Sequence, residues 1–218
     1  GIWNHEDYLH DRLDGMQIWN GATDAGFRRG LKRWIELLLQ GRKIAIFAGN
    51  DAHGNFNRFR QIGFPFWTFR ELDIQKFGEM RTALRIENDL SIPNLIKAIQ
   101  AGHCVITNGP FIEFTMTNEN GDCAHIGDSI TGNRFELNLT ARSTPEFGRL
   151  QSLSIYIGDF TSREETILIT IPNFPDAYRF REKLPLADFP QPCYIRTELA
   201  SVAGEKNYYC YTNPVWIS

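Results

Sequence analysis

The apolar positions of the first half repeat first with a helical and then with an extended period. A helix is predicted from about Asp24, a residue type that caps helix N-termini, to Gln40, and Gly41 follows where a left-handed residue commonly ends a helix. Its apolar face consists of residues at i, i+4, i+7, i+8 and i+11: Phe27, Leu31, Trp34, Ile35 and Leu38. A second helix is predicted over residues 91–101. The strands predicted in this half cover residues 1–5, 14–20, 43–48 and 103–107.

The order of these strands and helices indicates an α/β layer or barrel, and the run 43–48 is apolar on both faces, as in a covered parallel strand. Beyond the turn at residues 108–110, apolar and polar residues alternate as in half-buried antiparallel strands. We therefore expect an α/β domain over residues 1–109, a partial and distorted β/α barrel, followed by an all-β antiparallel sandwich-like domain over residues 110–218. The strands predicted in the second domain are 111–117, 135–141, 152–157, 165–171, 193–201 and 208–217.

Composition narrows the possible partners. The chain has 218 residues and a formal net charge of −3. The absence of a Lys/Arg block argues against a nucleic-acid partner. The absence of an apolar run of roughly 18–20 residues argues against a membrane span. No C-x-x-C pair occurs among the four cysteines, which argues against a zinc knuckle or a thioredoxin-type motif: Cys104, Cys123, Cys193 and Cys210. Their even number permits two disulfides, but their low density and lack of a spacing pattern make four reduced thiols equally compatible. A cytoplasmic and a secreted or periplasmic location therefore both stay open.

The segment with the most informative chemistry follows the apolar run 43–48. A glycine-flanked loop there presents Asp51 and His53, an oxygen and a nitrogen ligand that suit Zn, Mn or Fe. In an extended loop these two side chains diverge, so they would serve two neighbouring ions. His5 ends the first predicted strand and would face the same rim in a parallel barrel. The alternative, a helix-capping aspartate beside a solvated histidine, stays open.

These segments resemble a known family of metal-dependent phosphoesterases. The hexapeptide 49–54, Gly-Asn-Asp-Ala-His-Gly, is similar to the last metal-binding motif of the PHP (polymerase and histidinol phosphatase) superfamily. Residues 4–5 with 14–21 resemble the region that precedes this motif. Residues 98–110, 194–198 and 211–216 resemble the later segments of its carbaryl-hydrolase-like branch.

The resemblance implies a distorted β/α barrel with up to three metal ions at its carboxyl rim. Asp51 would ligate one ion, His53 another, and His5 would match a further ligand. A metal-activated water would hydrolyse a small ester or phosphoester. Arg58 and Arg60, just past the motif, either bind an anionic part of the substrate or lie in a solvated loop.

The chain also departs from the family pattern. It contains no H-x-H pair, it has Glu6 where the family usually has proline, and residues 1–107 supply only three or four strands. We therefore expect the C-terminal part of a longer enzyme that is inactive alone, binds metal weakly, and pairs with another copy or with the missing N-terminal part. The alternative is a non-catalytic binding or structural module with a degenerate metal site.

Overall fold

The computed structural model describes His10, residues 13–50, residues 61–64 and 67–70, and residues 78–218. Two helices and sixteen strands lie in these residues. Their order is β1 (Gly15–Asn20), α1 (Ala25–Leu39), β2 (Ala45–Gly49), β3 (Gln61–Phe64), β4 (Trp67–Arg70), β5 (Arg81–Leu84), α2 (Ile92–Ala101), β6 (Cys104–Thr107), β7 (Phe111–Asn118), β8 (Cys123–His125), β9 (Ser129–Ile130), β10 (Arg134–Arg142), β11 (Arg149–Asp159), β12 (Glu164–Ile171), β13 (Arg179–Ala187), β14 (Cys193–Ala203), β15 (Lys206–Thr212) and β16 (Val215–Ile217).

Helix α1 begins and ends where its capping residues predict. The Asp24 side chain accepts a hydrogen bond of 2.9 Å from the Phe27 N–H, and Gly41 has a φ of +79°. The Trp34 indole Nε1 donates to the Ile44 carbonyl at 2.7 Å, which joins the helix to the start of the next strand. The buried face of the helix contains Phe27, Trp34, Leu37 and Leu38.

Strands β1 and β2 lie side by side in parallel, with α1 as the connection between them. Gly15 pairs with Ala45 at one end and Asn20 with Gly49 at the other. The prediction that the run 43–48 forms a parallel strand is confirmed. Both strands of this β1–α1–β2 unit therefore end at the same edge.

The rest of the described fold corrects the expected barrel. The described strands close no barrel, and apart from β1–β2 and the short β9–β16 pair every described pairing is antiparallel. Strand β6, which the sequence suggested as a further barrel strand, pairs antiparallel with both β5 and β15. The partial β/α barrel was therefore the wrong fold class, since strands outnumber helices and antiparallel sheets dominate the described residues.

Two antiparallel sheets pack face to face. The small sheet has the order β13-β10-β7-β8, and the large sheet has the order β12-β11-β14-β15-β6-β5, with β16 and β9 attached to β14. Alternate residues of both sheets meet in an aliphatic core that includes Ile112, Leu137, Leu153, Ile155 and Ile195. This β-rich half is compatible with the expected sandwich. The division at residue 109 stays a prediction, and two strands before it, β5 and β6, belong to the large sheet.

The large sheet is covered on its second face by the β1–α1–β2 unit. The side chains of the large sheet that face away from the sandwich core pack against the β1–α1–β2 unit. Together they form a second core, rich in aromatic residues, which contains Trp19, Phe27, Trp34, Tyr194, Tyr211 and Trp216. Coverage of both faces explains why all four residues of β6 are buried. The order of strands and helices suggested β6 as a barrel strand, but a strand covered on both faces can belong to a parallel or an antiparallel sheet.

A buried ion group and one asparagine hold the unit against the large sheet. Arg196, 1% exposed, donates from Nε and Nη2 to Glu165 at 2.6 Å each and from Nη1 to Glu198 at 2.6 Å. Its guanidinium lies 5.6 Å from the centre of the Trp34 ring on α1. The Asn213 side chain accepts from the Ile46 N–H at 2.8 Å and donates to the Cys104 carbonyl at 3.1 Å, and so bridges β2 and β6.

Neither α1 nor α2 is long and apolar enough to span a membrane, and the same holds throughout the part of the chain that the structure describes. The four cysteines are all free thiols. Burial raises the pKa of the Cys104, Cys193 and Cys210 thiols to about 12, whereas Cys123 is exposed.

Candidate functional site

The predicted ligands and substrate contacts all fall outside the described residues. They are His5, Asp51, His53, Arg58 and Arg60. The structure nevertheless describes the strand from which the Asp51–His53 loop departs. Strand β2 ends at Gly49, and Asn50 is the last described residue before the loop.

The edge at which β1 and β2 end is fixed by hydrogen bonds. The Gly21 N–H donates to the Gly49 carbonyl at 3.1 Å, and Gln17 Nε2 donates to Asn20 Oδ1 at 2.7 Å. The first contact joins the ends of the two strands, and the second lies within β1. The loop after β2 therefore starts beside the end of β1, at the carboxyl edge where α/β folds build their sites.

The other side of β2 is held by side chains rather than by a strand ladder. Thr82 Oγ1 accepts from the Ala48 N–H at 2.9 Å and donates to the Ala48 carbonyl at 3.0 Å. Asn50 Oδ1 accepts from the Met80 N–H at 2.6 Å, while its Nδ2 donates to the Met80 carbonyl at 3.2 Å. The Asn50 side chain thus satisfies both the backbone N–H and the backbone carbonyl of Met80, as a neighbouring strand would. Asn50 is therefore fixed at the end of the described segment.

Among the residues that the structure describes, no three His, Cys, Asp or Glu side chains lie close enough to hold a metal ion. The metal site therefore stays a prediction that rests on the loop residues and His5. Carboxylate and imidazole are the donors that Zn, Mn and Fe accept, so the residue types suit such an ion.

The structure brings together two histidines that were not among the predicted site residues. His103 Nε2 lies 2.8 Å from Asp128 Oδ1, and the other carboxylate oxygen of Asp128 accepts from the His125 N–H at 2.9 Å. Burial, followed by the positive charge of Arg85, lowers the pKa of His125. The spacing of these residues along the chain carries no periodic signal that would have joined them.

The neighbouring Cys104 is a buried packing residue. Its thiol is buried and contacts the Asn213 amide, whose Nδ2 lies 3.0 Å from the sulfur. Because burial raises the thiol pKa to about 12, Cys104 is a poor nucleophile and does not form a catalytic dyad with His103.

Comparison with known proteins gives no match to a family model, to a curated protein or to a solved structure.

Proposed function

We propose that this chain contributes metal ligands to a metal-dependent hydrolase that acts on a small ester or phosphoester. Asp51, His53 and His5 would hold the divalent ions, Zn, Mn or Fe. The observation that supports this most is the end of β2 just before Asp51, which lies at the carboxyl edge of a parallel β1–α1–β2 unit.

The proposed ligands have separate roles. Asp51 offers a hard oxygen and His53 a nitrogen, and in an extended loop they point to opposite sides, which suits two ions. A bound divalent ion supplies a water of pKa near 7 as the nucleophile. Arg58 and Arg60 would bind the anionic part of the substrate through charge-assisted hydrogen bonds.

The last described residue before Asp51 is held by the backbone of a neighbouring segment. Asn50 is held on both its amide atoms by the Met80 backbone, so the residue before the aspartate has a fixed position. Three ligands are fewer than the cluster that the resemblance implies. We therefore expect the isolated 218-residue chain to bind metal weakly and to show little turnover.

Elemental analysis after purification without chelator tests this proposal. The chain is compared with the Asp51→Ala/His53→Ala variant and with a control of the same residue types at exposed described positions, Asp89→Ala/His10→Ala. We expect Zn, Mn or Fe in the parent chain and in the control, and its loss from the Asp51→Ala/His53→Ala variant.

Metal retained by the Asp51→Ala/His53→Ala variant would contradict the proposed ligands. A parent chain without metal after incubation with each of the three ions would contradict the metal centre itself, and it would favour a non-catalytic module.

A further inference from the structure

A groove of about 570 Å³ separates the edge of the large sheet from the outer face of the small sheet. Strands β5 and β6 line one side, and β7, β8 and β10 line the other. This volume falls within the roughly 300–1,000 Å³ that is usual for small-molecule sites. None of its lining residues belongs to β1 or β2.

Both sides of the groove contribute apolar side chains. Five hydrophobic residues line it, of which Val105 and Ile126 are buried: Leu84, Ile86, Val105, Phe111 and Ile126. A lining of this composition suits the body of an apolar ligand, because burial of apolar surface is favourable by roughly 25 cal/mol for each Å².

The floor of the groove is polar, and the strand register determines its order. Thr115 pairs with His125 on one side and with Asn138 on the other, so these three form one row across three strands. Glu113 and Thr140 pair in the next row on the same face. Successive rows lie about 7 Å apart along a strand, so the Glu113 carboxylate is separated from His125 by one row.

At the His125 end of the groove, Arg85 supplies a positive charge, with the carboxylates of Glu87 and Asp128 nearby. Its guanidinium has five N–H donors, of which Glu87 takes one at 3.0 Å. The backbone N–H of Arg85 donates to the His103 carbonyl at 2.8 Å, and the Asp128 carboxylate holds His103 and the His125 backbone in place. The position of Arg85 is therefore fixed by the same strands that form the floor.

We propose that this groove binds a small organic monocarboxylate with an apolar body. The carboxylate lies against Arg85 and His125, with Thr115 and Asn138 as neutral hydrogen-bond partners, and the body packs on Leu84. Glu113, one row away, repels a second negative charge, so a dianion such as phosphate is disfavoured.

Titration of the 218-residue chain with benzoate, followed by NMR of its backbone amides and histidine rings, tests the proposal. Benzamide, a neutral molecule of the same shape, and inorganic phosphate are the comparison ligands. We expect saturable shifts for benzoate at His125 and Thr115, with both comparison ligands at least about tenfold weaker, since a charge-assisted hydrogen bond is lost or a repulsion is added.

Two variants locate the site, and a third is the matched control. Arg85→Gln should weaken benzoate binding about tenfold or more, and Thr115→Phe, which fills the floor, should abolish it. Arg149→Gln removes an exposed arginine at the start of β11 and should leave binding unchanged. Asp51→Ala/His53→Ala should also leave it unchanged, which separates this proposal from the metal centre.

Equal affinity for benzamide and benzoate would overturn the proposal, as would unchanged binding in Arg85→Gln. The absence of saturable shifts at millimolar benzoate would overturn it as well. The side chain at position 115 faces away from the sandwich core. If Thr115→Phe keeps the unfolding midpoint of the parent chain, its loss of benzoate binding is due to the filled groove and not to unfolding.

Discussion

The β1–α1–β2 unit and the two-sheet sandwich share the large sheet but are stabilised in different ways. The sandwich core is mainly aliphatic and is enclosed by two sheets of its own. The unit has a sheet of two strands, which is marginal alone, and among the described residues its aromatic side chains are covered where α1 meets the large sheet. The region that leads into the Asp51–His53 loop therefore depends on the sandwich for its stability.

The contacts between the two regions are polar as well as aromatic. Arg196 lies on the large sheet with Trp34 of α1 against its guanidinium, and Asn213 joins β2 to β6. Such groups are costly to bury alone but fix one arrangement when every partner is present. The sandwich therefore supports the β1–α1–β2 unit, and a few buried polar side chains fix the position of the unit on the large sheet.

Loss of the buried arginine should have the largest effect. Arg196→Met leaves the Glu165 and Glu198 carboxylates without their partner, so we expect about 3–5 kcal/mol of lost unfolding free energy. Urea denaturation measures it. The matched control is Lys183→Met, which removes an exposed ion pair with Glu136 and should lower the unfolding free energy far less, because solvent screens an exposed pair. Similar losses in the two variants would contradict the role given to Arg196.

Asn213→Ala should have a smaller effect that is concentrated in the unit. It leaves the Ile46 N–H and the Cys104 carbonyl without this partner, for an expected loss of about 1–3 kcal/mol. Hydrogen exchange should rise at the amides of β2 more than at those of β10. Asn120→Ala, at an exposed turn position, is the control. A uniform rise across both regions would show that they open together.

Thiol reactivity should separate the regions further. At pH 8 a thiol-specific disulfide reagent should modify Cys123 rapidly. It should modify Cys104, Cys193 and Cys210 only on opening, because at a pKa of about 12 roughly one molecule in ten thousand is a thiolate. In Asn213→Ala, Cys104 should react before the other two buried thiols. Cys123→Ser controls for the fast phase, and a fast phase that persists in it would refute the assignment.

The smallest expected effect is the titration of His125 at the groove. Burial and then Arg85 lower its pKa below 6.5, with His103 acting in the same direction and Asp128 and Glu87 opposing. The unfolded chain therefore binds this proton first, and stability should fall as the pH drops below about 6.5. Arg85→Gln should raise the pKa of His125 in an NMR titration, whereas Arg149→Gln should not. An unchanged pKa in Arg85→Gln would show that Arg85 does not act on His125.

Local patterns in the sequence predicted the elements well. The caps and the apolar face of α1 and the alternation in β7 and β10 appear in the structure where the sequence indicates. Strand β13 was missed, because charged residues occupy much of this edge strand of the small sheet and hide its alternation. The predicted strand 208–217 is two strands, separated at Asn213 and Pro214.

The sequence by itself indicated both described helices and the longer alternating strands of the second half. The tertiary structure alone decided that β6 joins an antiparallel sheet and that His103, His125 and Asp128 meet beside Arg85. Periodicity records which side of a segment is buried, but it does not record which partner buries it. Strand pairing between distant segments is chosen by the packing of whole sheets, so the direction of β6 and the groove could be known only from the fold.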